Sequence, residues 1–443
     1  MPIESDVLVI GGGLAGITSA LAAAREGASV RLVTHKQSTL RQASGLVDVL
    51  GYLPDGTGPV SEPLAHIPAL PAAHPYSTVG VAAVREALSL FDDVTDYAGG
   101  HTDANALVPT HGGTVKPTAR YPQSAAAGLA SDDRPALLVG FASRTDFDAP
   151  HAAAHLRAAG VPFDVRGATV AFPGDLRADA TITRYATLLD ENAPVSPHDA
   201  SAATGARSDR TGRAEHTARE ALAARVRDHL DGEARVGFPA VLGECDPGGV
   251  RDALAARLGV DVFEVPMGPP SLPGIRLEAQ LSAALDAHDV RVASGTPVVD
   301  YRVEGRTSNR IAAVVVERNG AETPMAADQY VLATGGLVGG GIDSDRARVS
   351  EPIFGCHLDH PDDRYEWFDD DAFGDHPFAR FGLRTDGDLR PLDSAGSVEF
   401  PNLRAAGSVL GGYDFAAEKS GGGVSLATGY AAGRGAAREA SAR

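Results

Sequence analysis

The sequence predicts an α/β protein: a Rossmann-like domain of parallel strands extended by a β-meander, with a second α/β domain inserted into it. Three observations predict it. Near the start, "DVLVIGGGLAGITSALAAAREGASV" has the layout of a strand, a glycine turn and a helix leading to a second strand. Further on, "VRVASGTPVVDYRVEGRTSNRIAAVVVERNGAETPMAADQYVLATGG" alternates apolar and polar residues between turns at Gly305 and Asn319-Gly320, the pattern of a meander. Between them, "RPALLVGFASRTDFDAPHAAAHLRAAGVPFDV" and "EARVGFPAVLGECDPGGVRDALAARLGVDVFEV" repeat one rhythm of strand, turn, helix and strand.

The first element is the apolar strand Val7–Ile10, followed by Gly11-x-Gly13-x-x-Gly16 and a helix carrying Ala20, Ala23 and Ala24. Gly11 permits the tight turn, Gly13 lets backbone approach a phosphate, and Gly16 allows close helix–strand packing. The helix opens through Leu14 and Ala15, whose free N–H groups and partial positive charge suit an anion. A nucleotide cofactor follows. The second strand, Val30–Val33, should end in an acid for the adenosine ribose, yet it ends in Thr34-His35-Lys36. Either the cofactor has no adenosine half or another group, such as Thr34, holds it. His35 reads as a surface or ribose-edge residue. One fingerprint is present rather than two, so the electron partner is expected to be neither NAD nor NADP.

The segments fall in order. Residues 1–60 form the first segment of the cofactor domain, and 61–268 an inserted substrate or cap domain of roughly 200 residues. Within it, residues 190–216 are polar, small and charged, and read as a mobile surface insertion. Residues 269–345 return to the cofactor domain with the meander, 346–380 make a short excursion near the substrate side, and 381–443 close the domain.

Composition excludes several classes. Hydrophobic residues make up 43% of the 443, and mean hydropathy is −0.09, as in an ordinary globular protein. No run reaches the roughly 18 apolar residues of a membrane helix. The acidic start, Met1–Asp6, and the glycine turn argue against a signal peptide, so a cytoplasmic protein is expected. Cys245 and Cys356 stand far apart, which leaves no self-contained iron–sulfur ligand set and no CxxC pair. A net charge of −19 offers no basic stripe to nucleic acid. Only Lys36, Lys116 and Lys419 face a large majority of arginines, and Asp outnumbers Glu. That balance fits a salt-adapted, haloarchaeal cytoplasm; a GC-rich genome is the alternative source. Asp359, His360 and Asp362 superficially resemble metal ligands but sit in a charged, proline-containing loop, so no metal is expected.

The strand ending in Ala333-Thr334-Gly335-Gly336 after the meander lets chain pass close to the cofactor. "NLRAAGSVLGG" (containing Gly407) and then Gly421-Gly422-Gly423-Val424 place a second helix N-terminus where it can face the edge of a flavin that becomes negative on reduction. These elements in order resemble the flavoprotein superfamily of fumarate reductase and succinate dehydrogenase. More closely, "IGGGLAGITSAL", "SGLVDVLGYLPDG", "AHPYSTVG", "LPGIRLEAQL", "VSEPIFGCHLD" and "AAGSVLGGYDFAAEKSGGGV" resemble the B-subunit family of anaerobic glycerol-3-phosphate dehydrogenases, from residue 6 to about 435. The resemblance implies a noncovalent flavin, with Ser44 and Gly45 along its N5 side. It implies FMN, whereas the fingerprint is that of FAD binders; the form stays open. It also implies an A-type flavoprotein partner and a C-type iron–sulfur, membrane-associated partner, through which the chain would reach the inner face of the membrane.

Oxidising the secondary alcohol of glycerol 3-phosphate to dihydroxyacetone phosphate needs a base for the hydroxyl proton and cations for the phosphate. Arg276 in "LPGIRL" and Arg390 in "GDLRPL" are the candidate clamps; Glu351 and His74 are the candidate proton handlers. Three functions compete: a dehydrogenase subunit passing electrons toward quinone, a stand-alone flavoenzyme on another small substrate, and a relay subunit without substrate chemistry.

Overall fold

A computed structural model describes residues 3–36, 38–174, 176–195, 216–305 and 308–442. Most of the expected insertion, 196–215, lies outside the described residues.

The chain opens with β1 (Ile3–Ile10), α1 (Leu14–Arg25) and β2 (Val30–Thr34). Val7, Leu8 and Val9 are wholly buried, which suits a strand covered on both faces. Next comes α2 (Pro75–Val94), broken at Gly80 by a positive φ of 75°. The inserted region then runs through β3 (Ala136–Phe141), α3 (Ala149–Ala158), β4 (Val165–Val170), β5 (Arg235–Pro239), α4 (Pro247–Leu258) and β6 (Asp261–Val265). Its two strand–helix–strand units share one parallel sheet, ordered β6-β5-β3-β4. Apolar clusters cover both faces of that sheet.

The chain returns through α5 (Leu272–Ala287), β7 (Arg291–Ser294), β8 (Val298–Val303), β9 (Ile311–Arg318) and β10 (Ala321–Leu332). It finishes with β11 (Leu403–Ala405) and α6 (Gly421–Ser441). The main sheet is ordered β7-β2-β1-β10-β9-β8, with β11 also paired to β10. Sequence periodicity places the last strand of this run at Gln329–Leu332, but the strand begins at Ala321. Its first residues close the antiparallel meander with β9, while its length runs parallel to β1.

The terminal helix α6 starts at Gly421 and lies on α1. A Cβ at Gly429 would meet the Ala15 carbonyl at 2.5 Å, and one at Gly433 would strike that of Ser19. The glycines at this four-residue spacing let the two helix backbones meet with no side chain between them. The two helices therefore lock as one layer behind the β1 turn.

Candidate functional site

The β1–α1 turn is built as its glycines require. Gly11 has φ 115°, and a Cβ there would strike the Ala333 carbonyl, so the turn and the end of β10 touch through backbone. Gly16 packs on the Gly11 carbonyl. Gly13 differs: a Cβ there would meet nothing within 4 Å, because it faces open space at the start of α1. That space is a cavity of about 450 Å³, within the range of small-molecule and cofactor sites.

Of the expected cofactor residues, Gly11, Gly13, Leu14, Ala15, Thr34, Ala333, Thr334 and Gly335 line this cavity. The rest do not line it. Ser44 caps its own turn toward Leu46 N, and Gly45 (φ 79°) packs on Pro273. Gly407 (φ 77°) lies on Ala15, and its N–H donates to Thr428 Oγ1 at 2.9 Å.

Gly422 and Gly423 need correction. They were expected to open a helix end to the cofactor, but they let α6 approach the 47–49 segment. The Gly423 N–H donates to the Asp48 carbonyl at 2.6 Å, and a Cβ on Gly423 would strike the Tyr76 hydroxyl. Val424 is wholly buried, and α6 reaches the cavity through Ser425.

Sequence reasoning missed the opposite wall. Thr296, Pro297 and Val298 line it, and the Thr296 N–H donates to the Thr34 carbonyl at 2.9 Å, joining the two walls. His35, Lys36, Pro352, Ile353, Ser408 and Phe415 complete much of the rest. Pairing of β7 with β2 is what brings residue 296 to residue 34. A Thr-Pro-Val at the start of a meander strand carried no local signal for this contact.

The donors fit a flavin nucleotide. The first N–H groups of α1 lack intrahelical acceptors, and Thr334, which lines the cavity, carries a buried Oγ1 that has no hydrogen-bond partner among the described residues. No acid stands at the end of β2. The Thr34 hydroxyl donates to the Lys36 carbonyl at 3.0 Å instead.

The expected catalytic residues lie apart from one another. Arg276 is buried and bound to Glu264 (2.6 and 3.0 Å) and to the Gly243 carbonyl. Burial would raise the Glu264 carboxyl; the Arg276 charge and its hydrogen bonds outweigh that and hold it below its usual range. Arg390 is forked by Asp386 at 2.7 Å and Asp388 at 3.3 Å. Both guanidinium groups are thus engaged by acids, and neither lines the cavity, because each stabilises its own loop or domain corner.

Glu351 is buried and accepts from the N–H groups of Ile353 and Phe354, both at 2.8 Å. Burial pushes its carboxyl above the ordinary value, partly offset by those bonds. It shapes the turn whose Pro352 and Ile353 line the cavity, rather than facing it. His74 is sealed from solvent, with Nε2 3.0 Å from Glu418 Oε2 and Nδ1 accepting from Tyr76 N. His360 spends both ring nitrogens locally, on the Pro361 carbonyl and the Val349 N–H.

Residues 6–424 match the family model described as an FAD binding domain. The chain is 65% identical over 438 residues, 99% of each chain, to the probable B subunit of the anaerobic glycerol-3-phosphate dehydrogenase of Halobacterium salinarum. It is 30% identical over 448 residues to the B subunit of the anaerobic glycerol-3-phosphate dehydrogenase of Yersinia pestis, covering 96% of each chain. The corresponding protein of Vibrio cholerae is 30% identical over 442 residues, covering 96% of this chain and 94% of that one. With its glycine cradle and its match along nearly the whole length of these relatives, the chain belongs to the FAD-binding domain family and, within it, to the B-subunit family of anaerobic glycerol-3-phosphate dehydrogenases.

Proposed function

We propose that this chain is the flavin-bearing B subunit of a glycerol-3-phosphate dehydrogenase complex, oxidising sn-glycerol 3-phosphate to dihydroxyacetone phosphate. The observation that carries the reading is the 65% identity over 99% of the chain to a protein of that name. A bound flavin supplies a two-electron acceptor for the hydride leaving the alcohol carbon. The chain's own residues do the holding. The backbone N–H groups of Leu14 and Ala15 at the start of α1 would hold the cofactor's phosphate, and Ala333–Gly335 would line the same cavity around it.

FAD is the form the cavity favours, since it continues past the glycine turn to Thr34–Lys36 on one wall and Thr296–Val298 on the other. FMN would leave that arm unused. Ribose would then be met by the Lys36 ammonium and threonine hydroxyls instead of an acid.

Electrons would leave through partners, an A-type flavoprotein and a C-type iron–sulfur protein at the inner face of the membrane, toward quinone. Cys245 and Cys356 are both free and cannot by themselves hold a four-cysteine cluster. Among the described residues no helix is long and apolar enough to cross a membrane.

The neutralised Arg276 and Arg390 favour a second reading, in which the chain relays electrons and the partner oxidises substrate. One titration separates the two. The chain with its flavin, in high salt and without oxygen, is titrated with glycerol 3-phosphate while absorbance near ~450 nm is followed. Bleaching at millimolar substrate or below is the expected result. A flavin reducible by dithionite but not by glycerol 3-phosphate leaves only the relay.

A further inference from the structure

The chain has three lysines among its 39 basic residues. Arginines make most of the ion pairs, and a lysine differs from them in offering a compact ammonium instead of a planar guanidinium. Lys36 lines the cofactor cavity. The other two meet at one point: Lys116 Nζ lies 2.7 Å from Asp48 Oδ2, and Lys419 is a second positive charge acting on the same carboxyl.

These groups come from three distant parts of the chain. Residues 115–118 form a strand of a hairpin, Asp48 follows the Ser44–Leu46 turn, and Lys419 stands two residues before α6. The hairpin and the Lys419 stem both pack on Gly51, where a Cβ would stand 2.7 Å from Pro117 and 2.8 Å from Lys419. The Asp48 carbonyl also receives the Gly423 N–H, which fixes the carboxyl against the start of α6.

The charges are unevenly satisfied. Lys419 Nζ donates to the neutral Ala416 carbonyl at 2.5 Å, and no acid pairs with it among the described residues. Among the described residues Lys116 pairs with Asp48 alone, whose carboxyl burial pushes up to about 6 against the pull of Lys116 and Lys419. One carboxylate here faces two ammonium groups, whereas Arg390 alone is held by two acids. The Lys116 side chain is 23% exposed and that of Asp48 10%, so the lysine meets more solvent than its partner.

We propose that Lys116 and Lys419, gathered around Asp48 at the start of α6, form an anion subsite that takes the phosphate of a phosphate monoester. This rests on the glycerol 3-phosphate reading above and supplies the cations that Arg276 and Arg390 do not. Asp48 is a positioning residue: it aims Lys116. Lysine binds phosphate as a point charge and needs no planar match.

With so few lysines, amine labelling reads the site directly. The full chain with its flavin is treated with a limiting amine-reactive ester, and labelling rates at Lys36, Lys116 and Lys419 are followed by peptide mass spectrometry. Glycerol 3-phosphate and inorganic phosphate, at millimolar levels, are expected to slow Lys116 and Lys419 at least fivefold. Glycerol at the same concentration should not, and Lys36 should be unchanged by all three. Unchanged rates at Lys116 and Lys419 with both phosphates would overturn the subsite. Should Lys116 label too slowly to follow, calorimetric titration of Lys116→Met decides: a tenfold loss of glycerol 3-phosphate affinity supports the subsite, and wild-type affinity overturns it. Flavin bleaching without protection removes the subsite and keeps the dehydrogenase reading; protection without bleaching does the reverse.

Discussion

His74 Nε2 and Glu418 Oε2 lie 3.0 Å apart with both side chains sealed from water, though 344 residues separate them in sequence. The contact ties the start of α2 to the loop that delivers α6. Glu418 also accepts from the Asp414 N–H at 2.9 Å, and the Ser420 hydroxyl donates to it at 3.3 Å, so its carboxylate is held on several sides. Tyr76 and Tyr413 pack on the imidazole. Replacing His74 by Leu strands a buried carboxylate, and we expect a loss of about 3–5 kcal/mol in chemical denaturation. A loss below ~1 kcal/mol would mean that the carboxylate reaches water and the pair holds nothing.

The two turn glycines should separate folding from cofactor binding. Gly11→Ala forces a Cβ at φ 115° into the Ala333 carbonyl, so the fold itself should suffer. Gly13→Ala adds a methyl group where nothing stands within 4 Å. The flavin-free Gly13 variant should unfold within about 1 kcal/mol of wild type, while losing at least tenfold in flavin affinity by fluorescence titration. Wild-type flavin affinity in that variant would take Gly13 out of the cradle.

Local necessity explains what could be read in advance. A tight turn at Gly11 and a close approach at Gly16 have few solutions other than glycine, so the first strand, turn and helix were legible. Thr296–Val298, Pro352–Ile353 and Ser425 line the same cavity only because distant strands pair, and their residue types carry no mark of it. Gly422 and Gly423 show the converse. A glycine at a helix start serves either a ligand or a neighbouring backbone, and here the neighbour, Val47–Val49, takes it. Arg276 was misjudged for a similar reason: nothing near "LPGIRL" announces Glu264 on the adjoining sheet.

Asp48 gives a pH dependence with a definite sign. It faces Lys116, Lys419, the Thr118 hydroxyl and Tyr76, yet burial outweighs them and raises its carboxyl from 3.8 to about 6. An acid whose folded value is raised contributes stability that is fully present below about pH 4 and is lost as pH rises through about 6. The difference corresponds to about 3 kcal/mol. Asp48→Asn cannot ionise. Its stability relative to wild type should therefore improve by about that amount between pH 4 and pH 7.5, as measured by denaturant midpoints. A difference that stays flat across that range would show that Lys116 fully offsets the burial.

Arg276 and Glu264 form the other buried pair, with hydrogen bonds of 2.6 and 3.0 Å that hold α5 to β6. Glu264 also accepts the Leu242 N–H at 2.7 Å, so the carboxylate is shared between a cation and a backbone turn. Replacing Arg276 by Met leaves that carboxylate buried without its cation, and a cost of about 3–5 kcal/mol is expected. Replacing both, as Arg276→Met with Glu264→Gln, removes the stranded charge while keeping an acceptor for Leu242, and should recover more than half of the loss. Substrate handling should not follow stability. In protein that remains folded, the glycerol 3-phosphate concentration giving half-maximal flavin bleaching should stay within about twofold of wild type, because Arg276 is engaged by Glu264 and Gly243 and does not line the cofactor cavity. A tenfold rise in that concentration at unchanged stability would return Arg276 to the substrate.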